Sequence, residues 1–134
     1  QQDTLEGEML VYDEDGAWLS ERFVYHKGKK NGPYACYHDG DQVMVEGAFK
    51  DDQFHGEWRD YDANGFLVGK AFFRDGDGNL EAYGDQGQVI RKVEYRNSQK
   101  NGTEQFLDGE GNVKRTSYYK DGRLLRTDTL EKGR

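Results

Sequence analysis

Between His55 and Gly65 the chain runs HGEWRDYDANG, and within it His55, Glu57 and Asp60 supply an imidazole and two carboxylates. Groups of these types act as general acid, general base or metal ligands when they converge on one point. On an extended strand His55 and Glu57 share a face, which a pair of ligands requires. A second candidate is DGDGNLEAYGDQ, Asp75 to Gln86, with Asp75, Asp77 and Asn79 at the first, third and fifth places of a calcium loop. Its sixth place is Leu80 instead of glycine and its twelfth is Gln86 instead of a bidentate glutamate, so any calcium binding would be weak and incidental. His26, His38 and His55 lack a second histidine at metal-ligand spacing. No catalytic centre, metal site or cofactor is therefore expected. The lone Cys36 can form neither an internal disulfide nor a thiolate cluster, and fits a small, partly buried strand residue.

Composition narrows the functions open to the chain. Its 134 residues amount to one domain, 1–134. Hydrophobic and charged residues each make up 34%, a polarity that borders on disorder, but 13% aromatics in regular positions argue for a folded sheet. The net charge of −7 opposes binding to nucleic acid, whose affinity comes from clustered Lys and Arg, and it opposes anionic membranes too. No apolar run approaches the roughly 20 residues of a spanning helix. A start at Gln1-Gln2-Asp3 fits an exported bacterial protein of the envelope or periplasm after removal of a signal peptide, with the cytoplasm as the alternative.

The elements that would position any site come from an internal repeat. Gly7, Gly32, Gly56, Gly78 and Gly102 open five units spaced 25, 24, 22 and 24 residues apart. Five residues on stand Tyr12, Tyr37, Tyr61, Tyr83 and Leu107; four further come Gly16, Gly65, Gly87 and Gly111, with Gly40 one place early. A second aromatic follows each turn: Tyr25, Phe49, Phe73, Tyr95 and Tyr119. Each unit thus predicts a strand, an Asx-Gly turn, a second strand and a connecting turn, with the opening glycines read as turn positions. In the second strands, alternation puts Leu67, Gly69, Ala71 and Phe73 on one face, and Val89, Arg91, Val93 and Tyr95 likewise. Trp58 and Tyr61 lie three apart, so either a bulge unites them or both faces carry aromatics, as suits an uncovered sheet. The expected fold is all-β: an elongated single-layer antiparallel meander of about five hairpin repeats of about 24 residues. About ten strands, at about 4.8 Å each, would span roughly 45 to 50 Å, with a partial strand at 123–130.

The pattern G-x-W/Y-x-x-Y-D-x-x-G-x-L/V resembles the variant membrane-occupation-and-recognition-nexus (MORN) repeat, and among bacterial proteins the YwqK family of antitoxins. GEWRDYDANGFLVGKAFFRDG, Gly56 to Gly76, is the clearest copy, and the resemblance runs from Gly7 to about Leu125. It implies a β-hairpin repeat used mainly for protein binding, with membrane association for some members. The fourth unit departs from it by lacking a tryptophan, and the fifth by placing Phe106-Leu107 where an aromatic at the fifth position is expected.

A single layer cannot bury both faces, so some of Tyr12, Trp18, Tyr37, Trp58, Tyr61 and Tyr83 are expected to anchor a partner protein, the rest stacking on one another. His26, Lys50, Arg74, Arg96 and Lys120 form a basic column suited to an acidic partner or phosphate headgroups, or else to cross-strand pairing with Asp and Glu. The segments EMLVYD and GRLLRTDTL are expected as open sheet edges able to accept a strand, the latter blunted by EKGR. Together these features predict a non-catalytic protein-interaction module, such as an accessory or scaffolding subunit of a bacterial assembly, for example one of the cell envelope. A toxin-neutralising binder is the alternative. Membrane contact would come only through a partner, unless the basic column makes the chain a peripheral membrane module.

Overall fold

Two kinds of turn alternate along the chain and between them dictate a single open antiparallel sheet. The computed structural model describes residues 4–39 and 41–130. The start at Gln1-Gln2-Asp3, the expected turn glycine Gly40 and the tail EKGR lie outside these residues.

The strands are β1 (Gly7–Tyr12), β2 (Leu19–His26), β3 (Lys29–Lys30), β4 (Gly32–Tyr37), β5 (Val43–Lys50) and β6 (Gln53–Tyr61). They continue with β7 (Leu67–Arg74), β8 (Asp77–Tyr83), β9 (Val89–Arg96), β10 (Gln99–Leu107), β11 (Val113–Lys120) and β12 (Arg123–Thr129). Eleven follow one another across the sheet in chain order, every pair antiparallel, and the two-residue β3 sits beside β2. The expectation of about ten strands was therefore low; β12 completes the sheet as the strand foreseen at 123–130, and β3 is cut from β4 by a bulge.

Five connections are two-residue hairpins in which both residues have positive φ: Lys27-Gly28, Asp51-Asp52, Asp75-Gly76, Asn97-Ser98 and Asp121-Gly122. Such primed turns match the twist of the strands they join. Asp52 and Ser98 hold this left-handed conformation without glycine, and each makes a side-chain bond in return. Asp52 Oδ1 accepts from Lys30 N–H at 2.8 Å, and Ser98 Oγ accepts from Phe54 N–H at 2.9 Å. The other connections are the Asx-Gly loops, where Asp13, Asp62 and Asp108 fold their carboxylates back on loop N–H groups and Gly16, Gly65 and Gly111 take positive φ.

The opening glycines were expected to mark turns, and the structure corrects this. Gly56 lies inside β6 with φ +79°, and Gly102 inside β10 with φ +102°. They mark bulges. From β5 to β6 the register jumps from Ala48↔His55 to Glu46↔Arg59, leaving two surplus residues on β6. From β9 to β10 it jumps in the same way, from Tyr95↔Lys100 to Val93↔Glu104. Between β7 and β8 the register is unbroken and Gly78 faces Phe73 directly. The two residues missing from the 22-residue spacing are those two bulge residues. The extra residue in the 25-residue spacing belongs to the first Asx loop, where Tyr12 pairs with Leu19, seven positions on, against six for Tyr61 and Leu67.

Candidate functional site

The chemical cluster around His55 resolves into a turn lock. His55 Nδ1 accepts a hydrogen bond from the backbone N–H of Asp75 at 3.0 Å. The residue before each opening glycine does the same to the first residue of the next tight turn: Glu6 to Lys27, Asn31 to Asp51, Asp77 to Asn97 and Asn101 to Asp121. A second ladder runs beside it, main chain to main chain, from Gly28, Asp52, Gly76, Ser98 and Gly122 to carbonyls of the preceding hairpin. His55 is thus one of five acceptors that stitch each turn to its neighbour, and any residue with a short acceptor serves. Among the described residues no three His, Cys, Asp or Glu side chains form a metal-binding group. The calcium-loop segment is drawn out instead: only Asp75-Gly76 turn, while Asp77 and Asn79 stand on the extended strand β8.

Trp58 belongs to the face that packs. Its ring lies in a run of aromatics, 4.9 Å from Phe54, 5.4 Å from Phe49 and 5.5 Å from Tyr34 between centroids. Its Nε1–H donates to the Ala48 carbonyl at 3.1 Å. One row governs this face: Met9, Tyr34, Trp58, Leu80 and Glu104 stand opposite Phe23, Gly47, Ala71, Val93 and Ser117. The row is matched by size, since Trp58 lies over Gly47 and against Ala71, while Leu80 faces Val93, which is only 1% exposed. Lys30 extends over the rings of Phe23 and Phe49, and Lys100 over Tyr119, so ammonium groups cover aromatic positions that Phe54 covers elsewhere.

Glu104 takes the place that tryptophan has in the third unit and is 4% exposed. It survives there because Arg91 donates to it at 2.6 Å and Lys100 at 3.0 Å. Burial works to raise its pKa, but the bonds from Lys100 and Arg91 outweigh burial and hold the carboxyl below its ordinary value. Asp60 has no such pair: burial raises its pKa, opposed only by the more distant charge of Arg91. Burial also pushes the Tyr34 hydroxyl far up, helped by its hydrogen bond to Glu21.

The opposite face carries Tyr61. Its hydroxyl donates to Glu46 at 2.9 Å, and Glu46 alternates with Gly47 to the side away from Trp58. Both faces therefore carry aromatics, the second of the two options open from sequence. Tyr83 donates to Glu81 at 3.2 Å, and burial followed by these carboxylate bonds raises the pKa of both tyrosines. Tyr37 lines a shallow depression with Arg22, Glu46, Glu57 and Arg59; Tyr83 lines the next with Glu57, Lys70, Phe72 and Glu81. Glu57 borders both, bound by Arg59 at 3.0 Å and Lys70 at 3.5 Å, and the Arg59 bond is the main cause of its lowered pKa.

Phe72 is an exposed aromatic that sequence reasoning missed, as is Phe66 in the loop before β7. The Phe72 ring is 64% exposed on β7, between Glu57 on one neighbouring strand and Asn79 on the other. The signal was present in FF at 72–73: once Phe73 is assigned inward, alternation sends Phe72 outward. Tyr12 is 53% exposed on the edge strand β1, apart from the tyrosines of β4, β6 and β8, and Trp18 is half-buried at the exit of the first Asx loop.

In the basic column, His26 pairs with Glu6 at 2.9 Å and Lys50 with Asp75 at 3.5 Å. Arg74, Arg96 and Lys120 are exposed and make no ion pair among the described residues. Acidic neighbours outside the strands, Glu6 before β1 and Asp75 in a turn, thus meet two of the five. The segments EMLVYD and GRLLRTDTL do form the terminal strands β1 and β12.

No curated protein matches the chain. Residues 54–75, the span that carries the His55 lock, Trp58 and Phe72, match the MORN repeat variant, a non-catalytic repeat whose members are generally protein- or membrane-binding modules.

Proposed function

We propose that the chain is a non-catalytic protein-binding module that docks its partner on the face around Phe72. The observation that carries this reading is a large exposed ring at the middle of the sheet, sharing a depression with Tyr83 and bordered by the ion pairs of Glu57 with Arg59 and Lys70. An aromatic anchor within a polar rim is the arrangement that concentrates binding energy in protein interfaces. The packing of the other face supports a division of labour, with Trp58 holding the scaffold and the tyrosine face meeting the partner. In this reading the module is an accessory or scaffolding subunit of a bacterial assembly, in the envelope or the cytoplasm.

Capture from the native source tests it: the wild type retains a stoichiometric partner, and Phe72→Ser, folded by circular dichroism, loses it. Equal capture by both, or none by the wild type, would overturn the reading. A retained partner whose expression kills cells in the absence of this chain would make the module an antitoxin. A second reading, peripheral membrane association, is favoured by Arg74, Arg96 and Lys120, which have no acidic partner among the described residues. Flotation with anionic vesicles that is abolished by Lys50→Glu with Arg74→Glu supports it, and flotation that survives those changes removes it.

A further inference from the structure

The two ends of the sheet are not equivalent in chemistry, although they are equivalent in direction. Ten antiparallel steps separate β1 from β12, so the two terminal strands point the same way. Head-to-tail stacking of copies would therefore pair β12 with β1 in parallel, or else turn one copy over and set its aromatic face beside the tyrosine face of the next. Only a two-fold axis normal to the sheet pairs an edge with itself, antiparallel and with both faces continuous.

The edges differ in what they offer. β12 exposes Leu124 and Leu125 but interleaves them with Arg123, Arg126 and Asp128, charges of the kind that blunt an edge against pairing. β1 presents Met9, Leu10, Val11 and Tyr12, all exposed, and its one charge, Glu8, is held by Arg22 at 2.9 Å. The main-chain phase of β1 is fixed at both ends. The Leu5 carbonyl accepts from Gly28, and Asp13 N–H donates to Trp18. Odd-numbered residues thus direct their N–H and C=O groups toward β2, and Glu8, Leu10 and Tyr12 direct theirs to the open edge.

We propose that β1 is a homodimer edge, in which a second copy of this chain pairs antiparallel across a two-fold axis at Leu10. Leu10 meets Leu10 of the other copy as a hydrogen-bonded pair, and Glu8 meets Tyr12 in the two flanking pairs. These are the outward-facing groups, so six main-chain hydrogen bonds follow from the phase. Met9 then lies opposite Val11 in the closely spaced non-hydrogen-bonded pairs, so apolar meets apolar on the aromatic face. The edge buries a modest area, which gives a reversible dimer that forms with rising concentration.

Sedimentation velocity over a concentration series tests this, with Leu10→Pro and Thr127→Pro as paired variants. Leu10→Pro removes an outward N–H and leaves the β1–β2 ladder in place. The expected result is a monomer–dimer equilibrium in the wild type, unchanged by Thr127→Pro and shifted at least tenfold toward monomer by Leu10→Pro, with hydrogen exchange at Glu8, Leu10 and Tyr12 slowing as concentration rises. A wild type that stays monomeric, a dimer lost through Thr127→Pro instead, or a ladder of larger species would overturn the proposal. If Leu10→Pro perturbs folding, Leu10→Lys, which sets two like charges face to face, gives the same readout.

Discussion

Gly47→Ala tests the packing of the aromatic face most directly. A Cβ at Gly47 would stand 2.1 Å from Cδ2 and 2.3 Å from Cε2 of Trp58, inside any tolerable contact distance, so the indole must leave its seat. Overpacking of this kind costs roughly 1–3 kcal/mol. Displacement also breaks the Trp58 Nε1–H bond to Ala48, worth about 1 kcal/mol, and loosens the ring contacts with Tyr34, Phe49 and Phe54. The sum is about 3 kcal/mol, or on the order of 10 °C in Tm for a chain of this length. The measurement is urea denaturation in a Trp18→Phe background, so that Trp58 alone reports fluorescence. Trp58→Leu would be costly by itself through lost burial. The double variant Gly47→Ala/Trp58→Leu should cost about 2 kcal/mol less than the two single changes added, because the clash has gone. A destabilisation below about 1 kcal/mol with Trp58 emission unchanged, or strict additivity, would refute the size-matched row.

Five further substitutions, at four positions, probe the repeat. Gly78→Ala places a Cβ 2.1 Å from the Phe72 carbonyl, a backbone atom with no room to withdraw, and should cost over ~3 kcal/mol by thermal melting; Gly56→Ala, strained in φ but sterically open, should cost about 1. His55→Asn should leave stability within about 0.5 kcal/mol, because Asn31 and Asn101 do the same work, whereas His55→Ala strips the acceptor from Asp75 N–H and should cost about 1 kcal/mol in urea titration. Glu104→Gln leaves Arg91 and Lys100 without their carboxylate and should cost about 2 kcal/mol at pH 7, less than for fully buried charges because both cations reach solvent. The Glu104 carboxyl has a folded pKa below its ordinary 4.5, so its contribution is present above about pH 4.5 and fades as pH falls through the folded value. The gap between wild type and variant should accordingly close in acid, and a gap constant to pH 2 would contradict the ion-pair account.

The columns were legible in sequence because they depend on local rules. Asp62 and Gly65 announce a loop, and Leu67 to Phe73 announce a strand by alternation alone. The shared face of Ala71 and Phe73 followed, and both are buried. What the sequence hid was register between strands. Gly56 and Gly78 are the same letter in the same column, yet one takes φ +79° at a two-residue bulge and the other is extended beneath a carbonyl. The difference appears only as two missing residues in the spacing, and a gap in an alignment does not say where the chain shortens. His55 was hidden for a related reason, since its partner Asp75 lies 20 residues on, in the next turn of the repeat.

The distribution of tolerance follows from these contacts. On the aromatic face each side chain is answered by one across the ladder, so Trp58 requires Gly47 and Glu104 requires Arg91 and Lys100. On the other face Tyr61 is joined to Glu46 by a single hydrogen bond and Glu57 to Lys70 by an exposed ion pair, interactions of small individual worth that can be exchanged at little cost to folding. A hairpin repeat held together on one side in this way leaves its second side free to vary from unit to unit. Phe72 illustrates the point, because its counterparts in the same column are Val24, Ala48, Glu94 and Tyr118, which no shared packing demand could unite. A large ring exposed at a position where folding accepts alanine or glutamate is not required by the sheet, which is why the proposed docking surface is centred on it.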